Sequence, residues 1–151
     1  MKDILVDTDV ILDMLFDNKP FSDAATALIS LADQSRINVY ISAISYCKLY
    51  EEMGAFTSPN KLTAIFRMLF SICNVIEVNS RVIQRALNLD IADFSKAIQY
   101  ASALQNDRIS VIISNNINQY KNSRIPVMTP NSYLKLLSQN KVLIEGDKQE
   151  S

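Results

Sequence analysis

The sequence predicts a three-layer α/β/α fold, in which helices cover both faces of a central, mainly parallel sheet of about four to five strands. Short apolar segments typical of buried strands alternate with longer segments of helical periodicity along the chain. The first apolar segment ends in Asp7-Thr8-Asp9. Parallel α/β sheets bind their ligands where the strands end, so these carboxylates mark the predicted site. At 151 residues, the chain has the size of one domain.

The first half of the chain contains two predicted strands and three predicted helices. Continuous apolar or β-branched residues indicate the strands, and helical spacing of alanine and leucine indicates the helices. The predicted elements are, in order, a strand at residues 4–6, a helix at residues 10–16, a helix that Ser22 caps and that ends near Ala32, a strand at residues 38–41 and a helix at residues 42–53.

The second half begins with turn residues 57–60 and a helix with one apolar face, which is expected to fill the core. The members of this face are Leu62, Ile65, Phe66, Leu69 and Phe70. The remaining predicted elements are, in order, a strand at residues 75–78, a helix that Ser80 caps, a helix at residues 94–105 that opens at Asp93, a strand at residues 109–113, an edge strand at residues 125–128 and a final helix from Pro130. We expect a single domain over residues 1–138 and a polar tail at residues 139–151 that frays.

Composition and charge narrow the classes of function. The net charge is −1, so any contact with nucleic acid must come from a local basic patch. The chain lacks both an apolar stretch of the roughly 18 residues that a membrane span needs and a signal-peptide pattern, so a cytoplasmic protein without membrane contact is expected. Glycine-rich phosphate-binding patterns are also absent from the sequence.

Two residue types limit the chemistry further. The sequence contains no histidine, which excludes histidine-based triads and histidine-ligated zinc. Catalysis would therefore rely on carboxylates, hydroxyls, lysines or a metal ion. Cys47 and Cys73 lie in apolar stretches and are expected to be buried free thiols.

Three sequence segments together resemble the PIN domain, the nuclease fold of VapC-type toxins and of ribosomal RNA-processing proteins. The segments are Val6-Asp7-Thr8-Asp9-Val10-Ile11-Leu12-Asp13, then Asp93-Phe94-Ser95-Lys96-Ala97-Ile98-Gln99-Tyr100-Ala101-Ser102-Ala103, then Val111-Ile112-Ile113-Ser114-Asn115-Asn116 with Ile125-Pro126-Val127-Met128-Thr129-Pro130 behind it. The resemblance spans residues 1 to about 138, and the order of the segments makes it specific. It implies that several acids meet at the carboxyl edge of the sheet and hold Mg²⁺ or Mn²⁺ for the cleavage of RNA.

This sequence retains some of the acids that the resemblance implies and has lysine in place of others. Asp7 stands at the end of the first strand, as the resemblance requires. Lys48 stands where the family's Ile-Ser-x-x-Ser-x-x-Glu-Leu pattern, matched by residues 41–49, has its glutamate. Asp93 retains the leading acid of the family's Asp-Phe-Glu-Asp-Ala pattern, but Lys96 replaces the acid that points at the metal.

The resemblance therefore implies only a remnant of an acid cluster, made of Asp7, Asp93 and the Asn116 that takes the family's last polar position. Asp7 and Asp93 would ligate Mg²⁺ or Mn²⁺ if the protein were active, and no cofactor is expected otherwise. With Lys48 and Lys96 included, the converging charges cancel, so the cluster can neutralise itself without a metal ion. Our hypothesis is that the lysine ammonium groups occupy the space of the metal.

Two other arrangements stay open. In the first, the helices are rotated so that Lys48 and Lys96 both point into solvent. In the second, Glu51 or Glu52, three and four residues after Lys48 on a similar helix face, reaches back and replaces one missing acid. Lys96 would still oppose a metal ion in that case.

Three further polar residues near the strand ends have structural explanations beside the functional ones. Asp93 is at least as well explained as the N-cap of its helix. Asp9 is expected to support the turn at Asp7 rather than to bind metal. Ser114 could bind a phosphate, but satisfying the backbone of its loop is the commoner use of such a residue.

Three functions from different classes compete. The first, which the lysine substitutions favour, is a catalytically impaired relative of metal-dependent endoribonucleases that binds RNA or a protein partner. The second is an active metal-dependent endoribonuclease with an altered acid set, the toxin of a toxin–antitoxin pair. The third is a phosphatase resembling haloacid dehalogenases, with Asp7 as nucleophile and Asp9 as acid. The order of residues argues against it, because Lys96 precedes Ser114 and no acid pair follows a later strand.

The resemblance also implies partners. VapC-type toxins are held by antitoxins, so an antitoxin-like protein partner is expected beside RNA. Dimerisation is common in these toxins, and the apolar helix face that begins at Leu62 could join two copies of the chain, although packing into the core remains its expected role.

Overall fold

A computed structural model describes residues 2–149 of the chain, with side chains described for residues 2–140. Strands and helices alternate as the sequence predicts. The elements are β1 (Asp3–Val6), α1 (Thr8–Leu15), α2 (Ser22–Asp33), β2 (Asn38–Ser42), α3 (Ala43–Met53), α4 (Pro59–Ile72), β3 (Asn74–Ile76), α5 (Ser80–Leu87), α6 (Phe94–Gln105), β4 (Val111–Ile113), a 3₁₀ helix (Ile117–Tyr120), β5 (Val127–Met128) and α7 (Pro130–Gln149). None of the helices in this described part has the length and apolar character needed to cross a membrane.

The five strands form one parallel sheet in the order β3-β2-β1-β4-β5. The central strand β1 lies between β2 and β4, and Val6 is in register with Ile113. Because the carboxyl ends of parallel strands meet at one edge, the residues that follow β1 and β4, Asp7 and Ser114, lie close together. The Asp7 N–H donates to the Ile113 carbonyl at 2.9 Å, which extends the strand pairing to the first residue of the site.

Helices cover both faces of the sheet, and the central strand β1 is therefore buried on both sides. Ile4, Leu5 and Val6 are all 0% exposed. Ile4 and Val6 pack into a core formed with α1, α2, α3, α4 and α7, whereas Leu5 packs into a core formed with α6. A strand buried on both faces needs a continuous apolar run, which explains the sequence of β1. The predicted three-layer α/β/α fold with a parallel sheet is confirmed.

Helix boundaries differ from the sequence predictions at several places, including α1, which begins at Thr8 rather than at residue 10. α2 and α5 begin at Ser22 and Ser80 themselves, so neither serine is the N-cap that the sequence predicts. The cap of α5 is Asn79, because its longer side chain reaches the N–H of the third residue inside the helix. α7 continues to Gln149, beyond its predicted end. The predicted division at residue 138, with a fraying tail, stays a prediction.

The apolar face of α4 is used inside the domain. Leu62 and Leu69 are 2% and 0% exposed, and Ile65 and Phe66 pack against the same core. Packing into the core, the expected role of this face, is therefore confirmed for these four residues, whereas Phe70, predicted on the same face, is 68% exposed. The homodimer that the resemblance implies stays a prediction.

The two cysteines differ in exposure. Cys73 is buried, as the sequence predicts, but Cys47 is exposed, so the prediction of two buried thiols is wrong for Cys47. The reason is the orientation of α3, which buries the face that carries Ser45, Leu49 and Met53. Cys47 lies two residues from Ser45 and from Leu49, and residues two apart do not share a helix face.

Candidate functional site

Asp7 lies at the centre of the candidate site, at the carboxyl end of β1. It is also the N-cap of α1, because its Oδ1 accepts a hydrogen bond from the Thr8 N–H at 2.7 Å. The residue is only 1% exposed. An ionised carboxylate at this depth loses several kcal/mol of hydration unless hydrogen bonds and an opposite charge compensate it, so its partners decide what the site can do.

Hydrogen-bond donors surround both oxygens of Asp7. Its Oδ2 lies 2.5 Å from Lys96 Nζ, 2.8 Å from the Tyr120 hydroxyl and 3.1 Å from the Ser114 hydroxyl. Its Oδ1 accepts from the side-chain amide of Gln99 at 3.1 Å, in addition to the backbone N–H already described. These donors occupy all of the roughly four lone-pair positions that a carboxylate offers.

Lys96 supplies the opposite charge for Asp7. It lies near the start of α6, and its side chain is 9% exposed. Its ammonium group also lies 5.6 Å from the centre of the Tyr120 ring, within range of a cation–π contact. The start of a helix is a poor place for a cation, since the helix dipole is positive there. The negative charge of Asp7 is therefore the main compensation for burying this lysine.

Tyr120 and Gln99 belong to the site but were not identified from the sequence. Tyr120 is 3% exposed. Burial, and then the negative charge of Asp7, raise the pKa of Tyr120 far above that of a free phenol, so its hydroxyl stays protonated and donates. Gln99 lies three residues after Lys96 on the same helix face, and this spacing could have identified it. Tyr120 lies on the 3₁₀ helix after β4, where no periodic pattern signals its direction.

Asp93 and Lys48 form a second pair, joined through Ser95. Lys48 Nζ donates to Ser95 Oγ at 2.5 Å, and the Ser95 hydroxyl donates to Asp93 Oδ1 at 2.6 Å. The same oxygen accepts from the Ser95 N–H at 3.0 Å, so Asp93 is the N-cap of α6 as the sequence predicts. The hydrogen bond from Ser95, and then the charge of Lys48, lower the pKa of Asp93 against the opposing effect of partial burial.

Asp9 lies beside Asp7 and orders the loop after β4. Its Oδ2 accepts from the Asn115 N–H at 3.1 Å and from the Asn116 side-chain amide at 2.7 Å. The Ser114 hydroxyl lies 3.4 Å from this oxygen and 3.1 Å from Asp7 Oδ2, and so bridges the two carboxylates. Burial and the negative charge of Asp7 raise the pKa of Asp9. Its Oδ1 is buried without a hydrogen-bond partner among the described residues.

The remaining predicted site residues lie at the margin of the cluster or outside it. Asn116 is exposed and contacts Asp9 rather than Asp7. Glu51 and Glu52 are exposed on α3 and form no described hydrogen bond or ion pair, so the structure does not bring either of them to the missing acid position. The arrangement in which both lysines point into solvent is also wrong, because Lys96 is buried against Asp7.

The donor set of this cluster does not fit a divalent metal ion. Mg²⁺ and Mn²⁺ need several free oxygen ligands, but Asp7 is saturated by donors and one of those donors is a cation. Asp93 is held at the start of α6 by Ser95. Within the described part of the chain, no three acidic, cysteine or histidine side chains are grouped so that they could share an ion. The roles that the sequence suggests for Asp7 and Asp93 in catalysis stay predictions.

The sheet is fully parallel, and a polar cluster lies where its central strands end. This arrangement is typical of α/β proteins that carry their site at the carboxyl edge of the sheet. The chain belongs to the PIN domain family, whose sequence model matches residues 3–118. No curated protein matches the sequence.

Solved structures share this fold over most of the chain. A chain of a toxin–antitoxin complex from Klebsiella pneumoniae is 23% identical, with a TM-score of 0.62, over 84% of this chain and 97% of that chain. A chain of VapBC-1 from nontypeable Haemophilus influenzae is 15% identical, with a TM-score of 0.63, over 85% of this chain and 98% of that chain. A chain of DNA-bound VapBC from Salmonella typhimurium is 16% identical, with a TM-score of 0.62, over 86% of this chain and 99% of that chain. The PIN-like fold that the sequence predicts is thereby confirmed.

Proposed function

We propose that this protein is a catalytically impaired relative of the metal-dependent endoribonucleases, and that it acts by binding RNA or a protein partner. The observation that carries the proposal is the buried ion pair in which Lys96 Nζ lies 2.5 Å from Asp7 Oδ2. Two unit charges about 4 Å apart interact by roughly 4 kcal/mol at an effective dielectric constant of 20, and a divalent ion would double this repulsion from the ammonium group. A metal ion at Asp7 would therefore have to displace Lys96.

The second half of the cluster supports the same function. The ammonium group of Lys48 is held beside Asp93 through Ser95, so each retained acid has a lysine within one or two hydrogen bonds. A nuclease centre needs uncompensated carboxylates, because the metal ions that they hold offset the charge that develops on the phosphate during cleavage. In this chain, the carboxylates are already compensated by the protein.

Calorimetric titration with Mn²⁺ and an RNA cleavage assay test this proposal. We expect no measurable binding of Mn²⁺ by the parent protein, and restored binding by the double variant Lys48→Glu/Lys96→Asp. The double variant Lys61→Glu/Lys135→Asp is the matched control, since it makes the same change of charge at two exposed positions. Tight binding of Mn²⁺ by the parent, with metal-dependent cleavage that disappears in Asp7→Asn, would contradict the proposal.

The second candidate function is an active metal-dependent endoribonuclease, the toxin of a toxin–antitoxin pair. Asp9 favours it, because its buried Oδ1 has no described partner and Ser114 links it to Asp7. Withdrawal of Lys96 would leave two adjacent carboxylates for Mg²⁺ or Mn²⁺. This candidate predicts that the parent binds Mn²⁺ and that Asp9→Asn abolishes the binding. Failure of the parent to bind millimolar Mn²⁺ would eliminate it.

A protein partner of the antitoxin kind belongs to both candidates. Support comes from the structures that share this fold, which include the toxin–antitoxin complex from Klebsiella pneumoniae and two VapBC complexes. For the impaired candidate, such a partner would be the functional target rather than an inhibitor. Co-expression with the gene that neighbours its own, followed by size-exclusion chromatography with light scattering, distinguishes a heteromeric complex from a homodimer and from a monomer.

A further inference from the structure

A cavity lies on the face of the domain that α5 and α6 cover. It has a volume of about 250 Å³ and lies between the segment that follows α5, the second half of α6 and the loop before β5. Tyr100 and Leu104 line it on α6, and at about 1.5 Å per residue these positions are roughly 6 and 12 Å farther along the helix axis than Lys96. The cavity shares no lining residue with the cluster around Asp7.

Three cationic side chains line this cavity. Arg85 comes from α5, and Lys121 and Arg124 come from the loop before β5. All three are exposed, and none of them takes part in an ion pair or side-chain hydrogen bond among the residues that the structure describes. Asp90 is the one carboxylate among the described residues of the same lining, so the three cations leave a net positive charge around this concave surface, and the cavity attracts an anionic group.

The rest of the lining combines apolar side chains with an ordered hydroxyl. Leu89, Ile91 and Leu104 supply apolar surface. Tyr100 is 6% exposed, and its hydroxyl accepts a hydrogen bond from the Arg124 N–H at 2.8 Å. This bond fixes the loop that carries Arg124 against α6. The proton of the same hydroxyl is not donated to any described acceptor, which leaves Tyr100 a hydrogen bond to give to a ligand.

One carboxylate in the lining narrows the class of ligand. Asp90 would repel a ligand that is anionic throughout, such as an acidic peptide, but it can accept hydrogen bonds from hydroxyl or amine groups. Carboxylates bind ribose hydroxyls in this way in dinucleotide sites. We propose that the cavity binds a nucleoside phosphate, with the phosphate at Arg85, Lys121 and Arg124 and with the ribose and base against Asp90 and the apolar lining.

A neighbouring cavity extends the cationic surface. It has a volume of about 440 Å³, shares Arg85 and adds Arg81, which lies four residues earlier on α5. Residues four apart share a helix face, so a second phosphate of the same strand would also find a cation. The nucleoside phosphate is therefore either free or a unit of single-stranded RNA. This inference rests on the proposed binding function and assigns it a location outside the acid cluster.

Binding assays with three probes test the inference. The probes are the four ribonucleoside 5′-monophosphates, a fluorescein-labelled uridine pentaribonucleotide and a decaglutamate peptide. We expect the parent to bind the monophosphates, the pentaribonucleotide or both, and the triple variant Arg85→Glu/Lys121→Glu/Arg124→Glu to bind them at least about tenfold more weakly. Binding of monophosphates identifies a site for free nucleotides, whereas binding of the pentaribonucleotide alone identifies a site for RNA.

The triple variant Lys61→Glu/Arg67→Glu/Lys135→Glu is the control, because it makes the same change of charge at exposed positions outside the cavity. It should bind within about twofold of the parent, since lost surface contacts elsewhere contribute little. If the first triple variant does not fold, Lys121→Gln/Arg124→Gln should show a severalfold loss. Absence of nucleotide and RNA binding by the parent, binding that the cavity variants retain, or binding of decaglutamate alone would overturn the inference. Mn²⁺ binding by the parent would overturn the proposed impaired function instead, so the two failures are distinguishable.

Discussion

Lys96 of α6 and Asp7 at the end of β1 are joined by an ion pair of 2.5 Å, and their side chains are 9% and 1% exposed. The two residues are 89 positions apart in sequence. The position where the PIN resemblance expects an acid thus carries the cation that neutralises the first acid of the cluster. Removing one member of such a pair lowers stability more than replacing both members by apolar residues, because the remaining charge stays buried without compensation.

Replacing Lys96 by methionine should lower the free energy of unfolding by about 3–5 kcal/mol, because methionine fills a similar volume but leaves Asp7 without its opposite charge. Urea denaturation followed by circular dichroism at pH 7 measures the loss. Lys61→Met, at an exposed position of α4, should change stability by no more than about 0.5 kcal/mol. Combining Lys96→Met with Asp7→Asn should cost less than the sum of the single changes. Additive losses would show that the two residues do not act as a pair.

Replacing Tyr120 by phenylalanine should destabilise the protein by about 1–3 kcal/mol, since the hydrogen bond to the buried carboxylate of Asp7 is lost while the ring beside Lys96 remains. Thermal and urea unfolding measure the change. Tyr50→Phe is the matched control, because Tyr50 is 57% exposed. If both variants lose the same stability, the Tyr120 hydroxyl does not contribute to the site.

The carboxylate of Asp93 should contribute stability that depends on pH. Its pKa in the folded protein lies below the ordinary value of 3.8, chiefly because of the hydrogen bond from Ser95. An acid whose pKa is lower in the folded than in the unfolded state stabilises the folded protein at pH values above the unfolded pKa. This contribution is lost as the pH falls through the folded pKa. The stability difference between the parent and Asp93→Asn should therefore be present at pH 7, shrink as the pH falls below 3.8, and disappear only below the folded pKa. Asparagine keeps the capping geometry, so the comparison isolates the charge.

Titration of the Asp93 carboxyl by NMR measures its pKa directly. Ser95→Ala should move its pKa upward, because the first cause of the lowering is removed. A value for Asp93 at or above 3.8 in the parent protein would contradict this assignment.

The two thiols should react at very different rates. Burial raises the pKa of Cys73 to about 12, so about one part in ten thousand of this thiol is ionised at pH 8. Cys47 is exposed. A thiol-specific chromogenic reagent should therefore label one thiol rapidly in the folded protein and two in guanidinium chloride, and Cys47→Ser should remove the rapid reaction. Rapid labelling of both thiols in the folded protein would show that Cys73 is accessible.

Parts of the fold and site that depend on local patterns are predictable from the sequence. The run before Asp7 and the run before Ser114 have the continuous apolar character of strands buried on both faces, and parallel pairing then brings their ends together. Asp93 marks the start of α6, and this start places Lys96 in the first turn, facing the strand ends. The meeting of Lys96 with Asp7 follows from these local signals.

Other parts depend on how the elements are rotated and packed. Tyr120 reaches Asp7 from a 3₁₀ helix whose direction is set by its contacts with α6 and β5, and no periodicity in its own segment signals this. The exposure of Cys47 depends on the rotation of α3, because an apolar neighbourhood in sequence does not identify the buried face of a short helix. Asn116 contacts Asp9 instead of Asp7 because the loop after β4 turns around the second carboxylate.

The hydrogen bonds that converge on Asp7 also have a consequence for the order of folding. Its side-chain partners Lys96, Gln99, Ser114 and Tyr120 lie 89 to 113 residues away along the chain. Closing loops of this length costs entropy before any of these contacts can form, so contacts within single helices form earlier. The ion pair between Lys96 and Asp7 is thus assembled only when both halves of the chain have come together.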